Sequence, residues 1–123
     1  MAPQQKGKFH SIVSIIIKFS LYLQNMDNRQ QYIQLISNAS PYIRSEFGVK
    51  SLQLFGSMAR GEATDLSDID IFVEMPPKAI KVVALKQYLQ KLLGRAVDIV
   101  RSHSNIDPYL INEIQRDGIT IIA

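Results

Sequence analysis

One short segment constrains this chain more than any other: Leu54-Phe55-Gly56-Ser57-Met58-Ala59-Arg60-Gly61, followed by Asp68-Ile69-Asp70, with ten residues between Ser57 and Asp68. The apolar run at residues 51–55 stops at Gly56, which reads as a strand running into a turn; residues 57–60 open a short helix or tight turn. Residues 68–74 alternate, with Ile69, Ile71 and Val73 on one face and Asp68, Asp70 and Phe72 on the other. A glycine-serine turn thus stands a fixed distance ahead of two carboxylates that share a strand face.

Each of these residue types suits phosphate or metal chemistry. Gly56 has no side chain, so backbone can approach a phosphate, and Ser57 offers a hydroxyl and an N–H at the start of a helical turn, where unsatisfied donors favour anions. Arg60 adds a charge-assisted contact to the same polyphosphate. Asp68 and Asp70 are suited to hold Mg2+, which takes a few carboxylate oxygens and lets substrate phosphates complete its octahedron. In the absence of a cation they repel one another. A third acid, Asp98, interrupts the apolar strand pattern of residues 95–101, opposite in facing to Val97 and Ile99. On a strand beside the first, it completes a two-metal site, either bridging the ions or accepting a hydroxyl proton.

The remaining periodicities supply a frame. Ile33, Ile36, Ala39 and Ile43 recur at helical spacing after Asp27-Asn28, with a kink or restart expected at Ser40-Pro41. Ile80, Val83, Ala84, Tyr88 and Leu92 form the stripe of a second helix that ends at Gly94, and Lys78, Lys81, Lys86 and Lys91 its solvated side. Asp107-Pro108 caps a third helix, with Leu110, Ile111 and Ile114 inward, before an edge strand at 119–122.

Composition narrows the partners. The chain has 123 residues, enough for one core and too few for a second substrate-binding domain, so an acceptor platform is borrowed from elsewhere. There is no cysteine, which removes disulfides, thiolate zinc sites and thiol catalysis and fits a reducing cytoplasm. The net charge of +3 lies entirely in Lys6, Lys8 and Lys18; the rest holds 11 basic and 11 acidic side chains. A balanced domain argues against general nucleic-acid binding. His10 and His103 are isolated, and Tyr88 and Tyr109 are expected to pack.

Residues 1–25 form an N-terminal extension, and residues 26–123 the domain, with Met26 a candidate start. Residues 9–23 have an apolar stretch after two lysines, but Lys18 interrupts it and no small-residue cleavage pattern follows. It is too short to span a membrane. Ile12, Ile16, Phe19 and Leu23 fall near helical spacing, so the open readings are a loosely ordered extension, a docking helix, or an export or membrane segment.

The conjunction of Gly56-Ser57, ten residues, Asp68-Ile69-Asp70 and the later Asp98 resembles the signature of the nucleotidyltransferase superfamily that includes DNA polymerase beta. The run LFGSMARGEATDLSDIDIFVEM is similar to its smallest branch, the minimal nucleotidyltransferases of the MntA antitoxin type, over residues 28–123. The resemblance implies an α/β (α+β) nucleotidyltransferase fold, a small mixed sheet flanked by helices. It also implies Mg2+ on Asp68, Asp70 and Asp98, and ATP as donor bound by Gly56 and Ser57; Arg60 is common in that branch. The acceptor it implies is a tyrosine of a HEPN-domain toxin ribonuclease, often encoded nearby and silenced by AMP addition. The rivals are an antitoxin that neutralises its partner by association alone, and transfer to a small molecule or an RNA end.

Overall fold

The computed structural model describes residues 11–18, 20 and 28–123. It divides into two units, residues 1–31 and 32–123. In the first, α1 is helical at residues 11–18 and at 20, with Ile12, Ile15, Ile16 and Ile17 exposed. Phe19 and Leu23, expected on the same stripe, lie outside the described residues. Among the described residues no helix is long and apolar enough to cross a membrane.

The expected helical restart is where two helices meet, α2 (Asn28–Asn38) and α3 (Ser40–Phe47), with Pro41 in the first turn of the second. There the missing proline N–H costs no hydrogen bond. β1 (Ser51–Phe55) leads into α4 (Gly56–Ala59), and β2 (Ile69–Glu74) into α5 (Ala79–Leu93). The chain then runs through β3 (Val97–Arg101), α6 (Pro108–Asp117) and β4 (Ile119–Ile122). Asp107 caps α6, its Oδ1 accepting from the Tyr109 N–H at 2.9 Å.

The four strands form one sheet in the order β3-β2-β1-β4. β1 is antiparallel to both β2 and β4, whereas β2 and β3 are parallel and therefore need the α5 crossover between them. The sheet is mixed and helix-flanked, as expected.

One face of the sheet makes the core. Leu52, Leu54, Ile69, Ile71, Val73 and Val97 meet Ile36, Ile43, Phe47, Leu85, Leu89 and Leu93 from the helices. Each fully buried aliphatic side chain contributes about 1.5–3 kcal/mol. Alternation then turns Asp70 and Phe72 to the other face, where both are only half-buried.

Two packing expectations are corrected. The core face of α5 is Leu85, Leu89 and Leu93, with Ala84, Tyr88 and Leu92 of the expected stripe packed partly buried against it, while Ile80 is 85% and Val83 55% exposed. α5 carries apolar residues on more than one row, so helical spacing alone does not decide which is buried, and the sheet selects the leucine row. Tyr109 is also exposed, at the second position of α6, whereas Tyr88 packs against Phe47 and Tyr42 with ring centroids at 5.6 and 5.0 Å.

Candidate active site

The strand registers bring the signature residues together. Antiparallel pairing sets Phe55, the last residue of β1, opposite Asp70 of β2; parallel pairing sets Asp98 of β3 beside Asp70 on the other flank. Asp70 is therefore the central acid, between the turn and the third aspartate. Asp68 lies just before β2 and is exposed, as is Asp98, while Asp70 is half-buried.

Gly56 is required twice. Its φ of +72° is a left-handed conformation that side chains disfavour, and a Cβ built there would stand 2.1 Å from Asp70 Oδ2 and 3.0 Å from its Cγ. The glycine and the aspartate thus share one space, fourteen residues apart in sequence and in contact across the strand pair. After it, the turn closes on itself: Arg60 N–H donates to Gly56 O at 3.2 Å and Glu62 N–H to Ser57 O at 2.9 Å. Ser57 is half-buried at this turn.

Burial first, then the charges of Asp98, Asp68 and Glu113, push the Asp70 carboxyl above the usual carboxylate range, and Arg60 opposes them. Neighbouring carboxylates make a field that favours a cation, and these donors are all carboxylate oxygens, the set Mg2+ prefers. The residues fit the ion by chemistry. Among the described residues, however, no three acids stand converged in ligating geometry. The backbone assembles Asp68, Asp70 and Asp98 at one end of the sheet without gathering their side chains around a point.

Arg60, expected at the phosphates, is engaged by two carboxylates. Its Nε donates to Glu62 at 3.0 Å and its Nη1 to Glu113 of α6 at 2.9 Å, so its guanidinium is held by two carboxylates, which raise its pKa. Of the isolated histidines, His103 accepts the Asn105 N–H at Nδ1, and His10 lies outside the described residues.

This arrangement matches a known family. Residues 36–121 match the model of the nucleotidyltransferase domain, a stretch that contains Gly56, Ser57, Arg60, Asp68, Asp70 and Asp98. The chain belongs to the nucleotidyltransferase domain family.

Relatives of this nucleotidyltransferase agree with that placement. A Methanocaldococcus jannaschii protein that carries the name of a protein adenylyltransferase is 37% identical over 92 residues, 72% of this chain and 92% of that one. The protein adenylyltransferase MntA of Thermococcus cleftensis is 44% identical over 64 residues, 50% of this chain and 65% of that one. Among solved structures, a minimal nucleotidyltransferase superposes with a TM-score of 0.62 at 32% identity, covering 77% of this chain and 96% of its own. A toxin-antitoxin structure with AMP-PNP superposes with a TM-score of 0.55 at 26% identity, covering 69% and 71%.

Two residues that support the nucleotidyltransferase site escape sequence reasoning. Arg95 donates from Nε to Ser67 O at 2.7 Å and from Nη2 to Thr64 O, pinning the loop that delivers Asp68. The neighbouring Ala96 O accepts the Ile69 N–H at 2.9 Å and starts the β2–β3 pairing. Glu113 reaches Arg60 from 53 residues away. Both look in sequence like ordinary surface charges, and only the tertiary fold gives them targets.

Proposed function

We propose that this chain is a protein adenylyltransferase that acts as an antitoxin, moving AMP from ATP to a tyrosine hydroxyl of a HEPN-type partner protein. The observation that carries the proposal is the packing of the Gly56 turn against Asp70 with Asp98 in register beside it, since it sets the glycine-serine turn directly beside two of the three carboxylates. The names of the adenylyltransferase relatives and the toxin-antitoxin structure with AMP-PNP support the nucleotide and the class of acceptor.

In the transfer, the acceptor oxygen bonds to the α-phosphorus and the bond from that phosphorus to the bridging oxygen of pyrophosphate breaks. The hydroxyl proton passes to a carboxylate base, a role we assign to Asp98, and its exposure on the edge strand supports that reading. Asp68, Asp70 and Asp98 would hold Mg2+, which, when bound, neutralises the charge of the triphosphate and of the departing pyrophosphate. Gly56 leaves Asp70 room beside the turn, and Ser57 offers the triphosphate a hydroxyl. Arg60 is held through Nε and Nη1 by Glu62 and Glu113, so a phosphate contact from those two atoms replaces the carboxylates.

The test is incubation of the purified chain with ATP, Mg2+ and the HEPN-domain protein encoded beside it, followed by peptide mass spectrometry. AMP on a partner tyrosine, absent with Asp68→Ala/Asp70→Ala, is the expected result. An unlabelled partner held in a tight complex, and equally neutralised by that variant, would instead support the binding-only antitoxin; label on RNA ends or small molecules would support the other rival.

A further inference from the structure

α5 has a second apolar row that the fold does not use. Opposite the buried leucines, Ile80 and Val83 run along its outward side, 85% and 55% exposed, with the half-buried Ala84 at the boundary with the core. Beside them a hollow of about 710 Å3 lies between α3 and α5, lined by Tyr42, Phe47, Ala84 and Tyr88 and, at its charged margin, by Glu46 and Lys91. A second, of about 320 Å3, shares Ala84 and Gln87 with the first and extends to Ile80 and Val83. The two make one continuous apolar track. Tyr42, half of it exposed, stands at its edge, braced edge-on against Phe47 at 5.9 Å and tilted on Tyr88. Pre-braced tyrosines beside an aliphatic groove are what interface anchors look like.

Charge selects the occupant. α5 carries Lys81, Lys86 and Lys91 and no acid. Lys81 is engaged by Glu46, its Nζ donating to the backbone carbonyl at 2.8 Å. Lys86 and Lys91 have no hydrogen bond or ion pair among the described residues. A second copy packed two-fold on this face would set lysine-bearing helices against each other, with like charges opposed. An apolar helix bordered by Asp and Glu would meet both the track and its basic margins.

We propose that the α3–α5 face is a docking surface for an apolar, acid-bordered helix of the protein that this enzyme modifies. It rests on the reading that the acceptor is a protein. The face lies on the helical side of the sheet, away from Asp70 and Asp98, so holding the partner and transferring AMP are separable properties.

The test titrates the full chain against the HEPN-domain partner by interferometry, with Mg2+–AMP-PNP binding measured in parallel. Val83→Glu introduces a charge at an exposed position and leaves the fold intact, checked by circular dichroism; it weakens the complex by ~30-fold or more. Lys86→Glu/Lys91→Glu weakens it about tenfold and flattens its salt dependence, while Lys86→Arg/Lys91→Arg restores both. Nucleotide binding is unchanged in all of these. A Val83→Glu affinity within about twofold of the parent overturns the proposal. So does failure of the parent to bind, or a self-association of the chain that Val83→Glu abolishes. If the complex depends on α5 but no AMP reaches the partner, the enzymatic reading fails and the docking surface stands; AMP transfer with an α5-independent complex gives the reverse.

Discussion

The two faces of the sheet were built under opposite constraints. On the acid side the signature positions are specified by neighbours: Gly56 is glycine because Asp70 fills the space of a Cβ, and Asp70 is flanked by Phe55 and Asp98 through strand register. On the helical side α5 is apolar on two rows, and which one is buried was settled by what packed against it. Chemistry needs particular atoms at particular places, while a core needs only apolar volume of the right shape. That difference can be broken or sharpened by substitution.

The largest effect is expected at Asp70. Asp70→Ala lowers AMP transfer by about a thousandfold or more while the far-ultraviolet spectrum stays native, because the side chain supports charge neutralisation and little of the core. Gly56→Ala comes next, and it separates function from fold. The positive φ costs about 1–2 kcal/mol and the new methyl displaces the Asp70 carboxylate, with the Asp70 Cβ 3.2 Å away also crowded, so stability falls modestly and activity falls by about a hundredfold. Chemical denaturation and transfer rates measured on the same sample distinguish the two.

On the helical side the two rows of α5 should respond unequally. Leu89→Ala, at a fully buried site, costs about 2–5 kcal/mol, and Val83→Ala stays within about 0.5 kcal/mol. Equal losses would mean the wrong row has been called the core. Arg95→Ala removes the hydrogen bonds to Ser67 and Thr64, costs about 1–2 kcal/mol, and slows transfer through looser placement of Asp68.

The smallest effect is one of sign. The folded Asp70 pKa is raised above its unfolded value, so the folded state holds that proton more tightly. Its contribution favours the fold at low pH and is lost as pH rises through the raised value. At neutral pH and without Mg2+, the ionised carboxylate therefore works against the fold. Asp70→Asn should melt no lower than the parent under those conditions, and Mg2+ should stabilise the parent more than the variant.

The acid site was largely legible in the sequence because its signals are local: a strand stopped by glycine, an alternating strand with two acids on one face, a lone aspartate in an apolar run. The helix restart at Pro41 and the cap at Asp107 were legible for the same reason, since backbone chemistry within a few residues decides them. What was not legible depended on distant partners. Val83 and Leu85 are equally plausible core residues until the sheet is in place. Arg60 fits a phosphate by residue type, yet is held by Glu113, whose own position in α6 gives no hint of it. The roles of Glu113 and Arg95 are set by loops and helices that no periodicity connects.

The most direct measurement is calorimetric titration of Mg2+–AMP-PNP into the chain, its Asp70→Ala variant and its Gly56→Ala variant. If Gly56 and Asp70 share the nucleotide and metal site, the parent binds, Asp70→Ala does not, and Gly56→Ala binds at least about tenfold more weakly. Equal binding by all three folded proteins would contradict the account.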